Sequence, residues 1–252
     1  MEAGSSHDLV LEVSTARLGP PVGPDQTWAA TERAWKRTVP SLADTLAPRD
    51  ARQAYTVLRG LTGTGGGTVA AATMSLPERA EAGRNYDYRY VWIRDQCYIG
   101  QGAAAAGAHS LLDDSVRFVV AALLDHGSAL APAYPRSRET LRAYAAELTD
   151  DYYAYRFRHD ERPLEQAEGA FLLCGFVMAL AHHQQGHQGE ALRWFERNRA
   201  SCATSGLFAE EYDIRPRELR GNLPQAFVHG LLLECAARLP VPGANGERSG
   251  HW

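Results

Sequence analysis

From Asp95 to Leu239 apolar residues recur three and four positions apart in one segment after another. That spacing makes a stripe along one side of an α-helix. It predicts helices over residues 94–107, 111–126, 137–148, 168–186, 188–202 and 223–239. Leu112, Val116, Val119, Val120 and Leu123 share a face in the second. Phe171, Leu172, Cys174, Gly175, Met178 and Ala179 make the fourth strongly apolar, and Pro240 and Pro242 stop the last. Strands do not alternate with these helices, which excludes a doubly wound α/β sheet. The expected body is a stack of antiparallel helices, all-α in class.

The N-terminal part is less uniform. Residues 8–14 alternate apolar and polar and contain Val10 and Val13, the pattern of a strand with one buried face. A Gly/Pro-rich linker at 19–24 follows, then a short helix over 25–37 with Asp25 as its cap and Trp28 and Trp35 on one side. Residues 43–60 carry Leu46, Ala54, Val57 and Leu58 at helical spacing. The GTGGG loop at 63–67 lacks the Lys-Ser/Thr ending of a phosphate cradle. Three parts are expected: an N-terminal remnant at 1–40, the helical domain at 41–239, and a disordered tail at 240–252.

Composition narrows the function classes. The 252 residues include 26 Lys+Arg and 30 Asp+Glu, a net charge of −4, which argues against nucleic-acid binding. A neutral ligand such as a sugar fits. The N-terminus has neither a basic region nor an apolar run of leader type, and no apolar stretch is long enough to span a bilayer. Cys97, Cys174, Cys202 and Cys235 are far apart, with no CxxC pair, and read as buried free thiols. The expectation is therefore a cytoplasmic protein without metal, cofactor or disulfide.

One segment resists the helical pattern. Residues 85–95, NYDYRYVWIRD, hold three Tyr, a Trp, two Arg and two Asp, with Val91 and Ile93 as the aliphatic filling. Two readings fit it. Aromatic faces beside ionised groups suit a sugar site, where rings pack on C–H faces and charged groups bind hydroxyls. A buried, salt-bridged turn accounts for the same residues.

AAATMSLPE at 70–78 and RNYDYRYVWIRD at 84–95 resemble the signature of glycoside hydrolase family 15, the glucoamylases, glucodextranases and microbial trehalases. EGAFLLCGF at 168–176, GLFAEEYD at 206–213 and GNLPQAFVH at 221–229 resemble its later motifs, in order. The resemblance covers residues 8–134 and 152–239. It implies an (α/α)6 barrel, here partial, with residues 8–14 as the remnant of an N-terminal β-sandwich. It also implies inverting hydrolysis of α-glucosidic bonds by two carboxyls, one an acid and one a base. An α-glucoside or oligosaccharide is the implied substrate.

By this resemblance Glu210 is the general base, with the adjacent Glu211 as second choice. Neighbouring residues of an extended loop point in different directions, so one of the two is expected to face the cleft. Arg94 and Asp95 correspond to the pair that binds hydroxyls of the terminal sugar. Tyr88 and Trp92 correspond to aromatics of the same subsite, and Arg156 to another sugar-binding arginine. Gln225 and His229 are expected in helix packing near the cleft.

The departures from the family are as informative. Its general-acid segment, resembling W-E-x-R-G, and the helix that follows have no counterpart here. Twelve helices with short loops need roughly 200 residues even in a minimal barrel, and seven helical segments are found after Ala43. The chain therefore resembles an internally shortened member, a glycosidase impaired by loss of its acid. The alternative is a non-catalytic homologue that binds sugar weakly or serves as an interaction protein. Glu168, Glu165 and Asp160 are the carboxyls placed to replace the acid, with nothing in the sequence to choose among them. A barrel short of helices also leaves apolar faces uncovered, which predicts self-association or a protein partner.

Overall fold

The computed structural model describes every residue except 1–6, 21, 74–86, 127–145, 157–167, 203 and 242–252. Two compact units are present, Met1–Pro40 and Ser41–Trp252.

The first unit contains one helix, α1 (Pro24–Thr38). Pro24 opens it, so the cap is Gly23 and not Asp25, which instead lies in the first turn. A proline there loses no hydrogen bond, because the first N–H groups of a helix have no intrahelical partner. Asp25 at the start and Lys36 and Arg37 at the end complement the helix dipole. Trp28 is 76% exposed and no residue of α1 is buried. Residues 8–14 correct the sequence reading: they form no strand and are exposed throughout. The alternation is there, but no described residue pairs with it, and a lone strand has no ladder to hold it.

The second unit is built from six helices and five very short strands among the described residues. α2 (Pro48–Leu61), α3 (Ile93–Ala105) and α4 (His109–His126) come first. A hairpin of β1 (Thr149–Asp150) and β2 (Tyr153–Ala154) follows. Asp151 and Tyr152 both have positive φ, the twist that a two-residue hairpin turn requires. Then come β3 (Ala170–Phe171), α5 (Leu172–Gln184), α6 (Gln188–Arg199), β4 (Glu211–Asp213), β5 (Glu218–Arg220) and α7 (Ala226–Arg238). β3, β4 and β5 form an antiparallel sheet with Phe171 opposite Glu211 and Glu211 opposite Arg220. The segment expected at 137–148 lies almost wholly outside the described residues, as does the tail from 242.

α7 is the centre of this unit. Eleven of its thirteen residues are buried, and α2, α3, α5 and α6 all pack on it. Gly102 of α3 meets the carbonyl of Gly230 of α7, so the two backbones approach with nothing between them. Gly175 of α5 is likewise covered by the Asn198 side chain of α6. The helix pairs α3–α4 and α5–α6 are each closed by a glycine of positive φ, Gly107 and Gly186. The chain is thus all-α in class, and its described helices form antiparallel pairs of the kind an (α/α) barrel uses.

Two local corrections follow. Residues 168–171 do not begin α5. The apolar run continues through them, but Phe171 pairs with Glu211, and Glu168 is drawn aside by Arg156. The cysteines form no disulfide among the described residues and are not all buried: Cys97 is exposed, Cys174 and Cys202 are half-buried, and Cys235 is buried. Two residues after the buried Asp95, Cys97 falls on the opposite side of α3. None of the described helices is long and apolar enough to cross a membrane.

Candidate active site

The site is assembled by backbone hydrogen bonds that tie distant segments together. Ala71 N–H donates to the Tyr88 carbonyl at 3.0 Å and Ala70 N–H to the Tyr90 carbonyl at 2.9 Å. Ala226 N–H in turn donates to the Ala70 carbonyl at 2.8 Å, and Gln225 N–H to the Phe208 carbonyl at 2.8 Å. Leu172 N–H donates to the Glu210 carbonyl at 3.1 Å. The aromatic segment, the loop before β4 and the starts of α5 and α7 therefore form one continuous surface.

Tyr88 and Glu210 meet on it. The Tyr88 hydroxyl donates to Glu210 Oε2 at 2.7 Å. Glu210 is 5% exposed, and its Oε1 lies 4.0 Å from Arg156 Nη1. A carboxylate oriented by a phenol and kept near a cation is in the right form to accept a proton.

Arg156 is held by more than Glu210. Its Nε and Nη2 donate to Glu168 Oε1 and Oε2 at 2.8 and 2.7 Å, a bidentate fork. Nη2 also donates to Glu211 Oε1 at 2.6 Å, and the guanidinium lies over the Phe171 ring at 4.5 Å. Burial opposes its charge, but Glu168 foremost, then Glu211 and Glu210, keep it more firmly protonated than usual. Glu211 Oε2 accepts from Gly169 N–H at 3.1 Å. Burial and the charges of Glu168 and Glu210 push the Glu211 carboxyl up to about 8, against the pull of Arg156 and Gly169. Glutamate pairs 210 and 211 thus converge on one guanidinium, whereas an extended loop was expected to turn one of them away. The three-bond arm of glutamate is long enough to reach around the backbone.

Arg94 and Asp95 sit at the start of α3. Arg94 Nε donates to Asp95 Oδ1 at 2.9 Å, and the Arg94 side chain is 62% exposed. Its guanidinium is 5.8 Å from the Phe227 ring centre. Asp95 is 1% exposed, and its Oδ2 has no hydrogen-bond partner among the described residues. Burial pushes its carboxyl up while Arg94 pulls it back. Trp92, 52% exposed, leaves a ring face open just before them. An exposed guanidinium and an open indole are a suitable donor and platform for a sugar ring, and the buried Asp95 carboxyl fixes the guanidinium from behind.

Gln225, which caps α7, and His229 within it are buried, as expected of packing residues. His229 Nε2 accepts from Phe208 N–H at 3.3 Å, and complete burial pushes the imidazole down to about 3. Of the three carboxyls considered as replacement acid, Asp160 and Glu165 lie outside the described residues. Glu168 is described, and both its oxygens are occupied by Arg156. The role of Glu168 as the partner of Arg156 was not legible in the sequence; its one signal is Gly169, whose small size admits the Glu211 side chain. Among the described residues no group of three His, Cys, Asp or Glu is placed to hold a metal ion.

Comparison with known proteins gives a consistent result. The profile of "Glycosyl hydrolases family 15" matches residues 51–124 and 109–237. A trehalase of Mycobacterium tuberculosis is 35% identical over 123 residues, 48% of this chain and 18% of that protein. A trehalase of Mycolicibacterium smegmatis is 33% identical over 118 residues, 46% of this chain and 18% of that protein. Trehalase 1 of Sulfolobus acidocaldarius is 48% identical over 42 residues, 17% of this chain and 8% of that protein. The matches thus span less than a fifth of the length of these curated relatives. No solved structure matches the chain significantly. With the family profile covering most of its length, the chain belongs to glycosyl hydrolase family 15.

Proposed function

We propose that this chain carries the water-activating and sugar-holding side of an inverting exo-α-glucosidase site, with trehalose as its first substrate. Glu210 is the general base. Arg94, oriented by Asp95, and Trp92 hold the terminal glucose, and Arg156 acts behind the base. In the reaction a water oxygen attacks the anomeric carbon, its proton passes to Glu210, and the glycosidic C–O bond breaks. The leaving oxygen then takes a proton from solvent, since the family's acid segment has no counterpart in this sequence. General acid catalysis is worth about 10²–10⁴-fold, and turnover is lowered accordingly.

The observation that carries this reading is the 2.7 Å hydrogen bond from Tyr88 to Glu210, which orients the proposed base. The choice of trehalose rests on four relatives, each named a trehalase. Glu211 is not the acid: it lies beside Glu210, on the same guanidinium, and is 1% exposed. An inverting pair instead stands about 6.5–9.5 Å apart, on either side of the sugar. A cytoplasmic location belongs to the same proposal and is supported by four cysteines that form no disulfide among the described residues.

The second reading, a sugar binder without turnover, is favoured by the commitment of Glu168 to Arg156. One experiment separates the two. Glucose release from trehalose, maltose and maltotriose is measured with the purified chain and with Glu210→Gln. Release that disappears in the variant supports the enzyme. Trehalose binding without release supports the binder, and release unchanged in Glu210→Gln removes Glu210 from its role.

A further inference from the structure

Glu168 and Glu211 share a single guanidinium. Among the described residues the cation touching each of them is Arg156, and the two are 4% and 1% exposed. Two ionised carboxyls on one cation leave an excess negative charge where water does not reach, and a buried excess charge is removed most readily by taking up a proton. The hydrogen bonds indicate where that proton goes. Glu168 receives both arms of the fork, from Nε and Nη2. Glu211 receives only the Nη2 that Glu168 already uses, together with one neutral backbone N–H from Gly169. Charge-assisted bonds favour the ionised partner, and Glu211 has the smaller share of them.

The surroundings agree on every side. Toward β3 it faces Glu168 and the Gly169 N–H; toward β2 it faces Arg156; Glu210 precedes it in the chain. On β5 its register partner is Arg220, whose guanidinium is turned to Asp213 and lies 4.0 Å from Glu218. The next residue, Tyr212, stacks on Tyr153 of β2 at 5.5 Å and brings no charge. Glu211 is therefore surrounded by two carboxyls and one guanidinium that is already matched.

We propose that Glu211 is a positioning residue for Glu210 that works as a neutral carboxylic acid, bracing Arg156 without adding charge. Arg156 and Glu168 then cancel. Glu210 remains as the charge that accepts a proton from water and faces the positive sugar of the transition state. The proposal rests on the reading of Glu210 as base. When Glu211 loses its proton, the second charge competes for Arg156 and weakens its hold beside Glu210. Activity or binding consequently falls as pH rises past the point where Glu211 ionises.

The test is a carbon-13 titration of the full chain labelled at the glutamate carboxyls, from pH 4 to pH 10. One carboxyl is expected to titrate near pH 8 and to be missing from the spectrum of Glu211→Gln. In Glu168→Gln the same signal should shift to lower pH, because one of the charges opposing ionisation is gone; this variant decides the matter if Glu211→Gln does not fold. Trehalose affinity, measured by calorimetry at pH 7 and pH 9, should fall about tenfold in the natural chain and stay level in Glu211→Gln. A glutamate titration curve that ends below pH 6.5, or a high signal that persists in Glu211→Gln, overturns the proposal. So does an affinity loss at pH 9 that persists in Glu211→Gln. The base assignment is judged separately, by glucose release in Glu210→Gln.

Discussion

The Tyr88 hydroxyl and Glu210 Oε2 are 2.7 Å apart, although 122 residues separate them in the chain. Ala70 and Ala71 make this meeting reproducible, since their backbone bonds hold the Tyr88 segment and the first turn of α7 together. Tyr88→Phe keeps the ring and removes the donor. Losing a hydrogen bond to a charged group costs about 1.5–3 kcal/mol. The expected result is glucose release lowered roughly 10- to 100-fold together with a melting temperature lowered by a few degrees, read by coupled glucose assay and thermal denaturation. Undiminished release would show that the bond does not orient the base.

Stability should respond to pH from both ends. Glu211 titrates near 8 in the fold against an ordinary 4.5. The folded state therefore binds the extra proton between these values, and stability falls as pH rises through them. His229 behaves in the opposite sense, near 3 in the fold against 6.5, so stability falls as pH drops below 6.5. The two slopes oppose one another between 4.5 and 6.5, where the unfolding midpoint should be highest. Glu211→Gln should flatten the alkaline side by on the order of 2 kcal/mol between pH 6.5 and 9. Urea unfolding at five pH values measures this, and an identical alkaline slope in the variant would contradict it.

The contact of Gly102 with the Gly230 carbonyl leaves no room for a methyl group. Gly102→Ala should cost about 1–3 kcal/mol, as overpacking does, despite the gain in helix propensity. It should also displace Arg94 and Asp95, which share α3 with it. Weaker trehalose binding together with a lower midpoint is the expected pair of results; a midpoint raised by the alanine would show that the helices have room to part.

Val116, Val120, Leu123 and Leu124 lie exposed along α4, Leu124 at 81%. Such a row predicts association at raised concentration. Sedimentation velocity should reveal species heavier than the 27.6 kDa chain, and Val120→Glu with Leu124→Glu should return them to monomer. A monomer at every concentration would remove self-association from the description.

The helices were readable because their stripes are local: Leu231, Leu232 and Cys235 identify α7 within one turn of each other. The candidate site residues come from the family pattern, and the structure brings three of them, Tyr88, Arg156 and Glu210, together. The bracing of Arg156 by Glu168 and Glu211 was not readable, since Glu211 meets Arg156 from 55 positions away and nothing in either neighbourhood announces it. Residues 8–14 show the converse error. Their alternation is a local signal, and a strand needs a partner that local pattern does not supply.

Because α7 touches α2, α3, α5 and α6, its amide protons are sheltered by all of them at once. Fraying at one end of the domain does not release them, and exchange with solvent waits for the whole helical body to open. The first turn of α7 is also bonded to Ala70 and lies next to Gln225, which is tied to Phe208. Hydrogen exchange along α7 therefore reports on the candidate site as well as the core: both survive, or both are lost, in the same cooperative event.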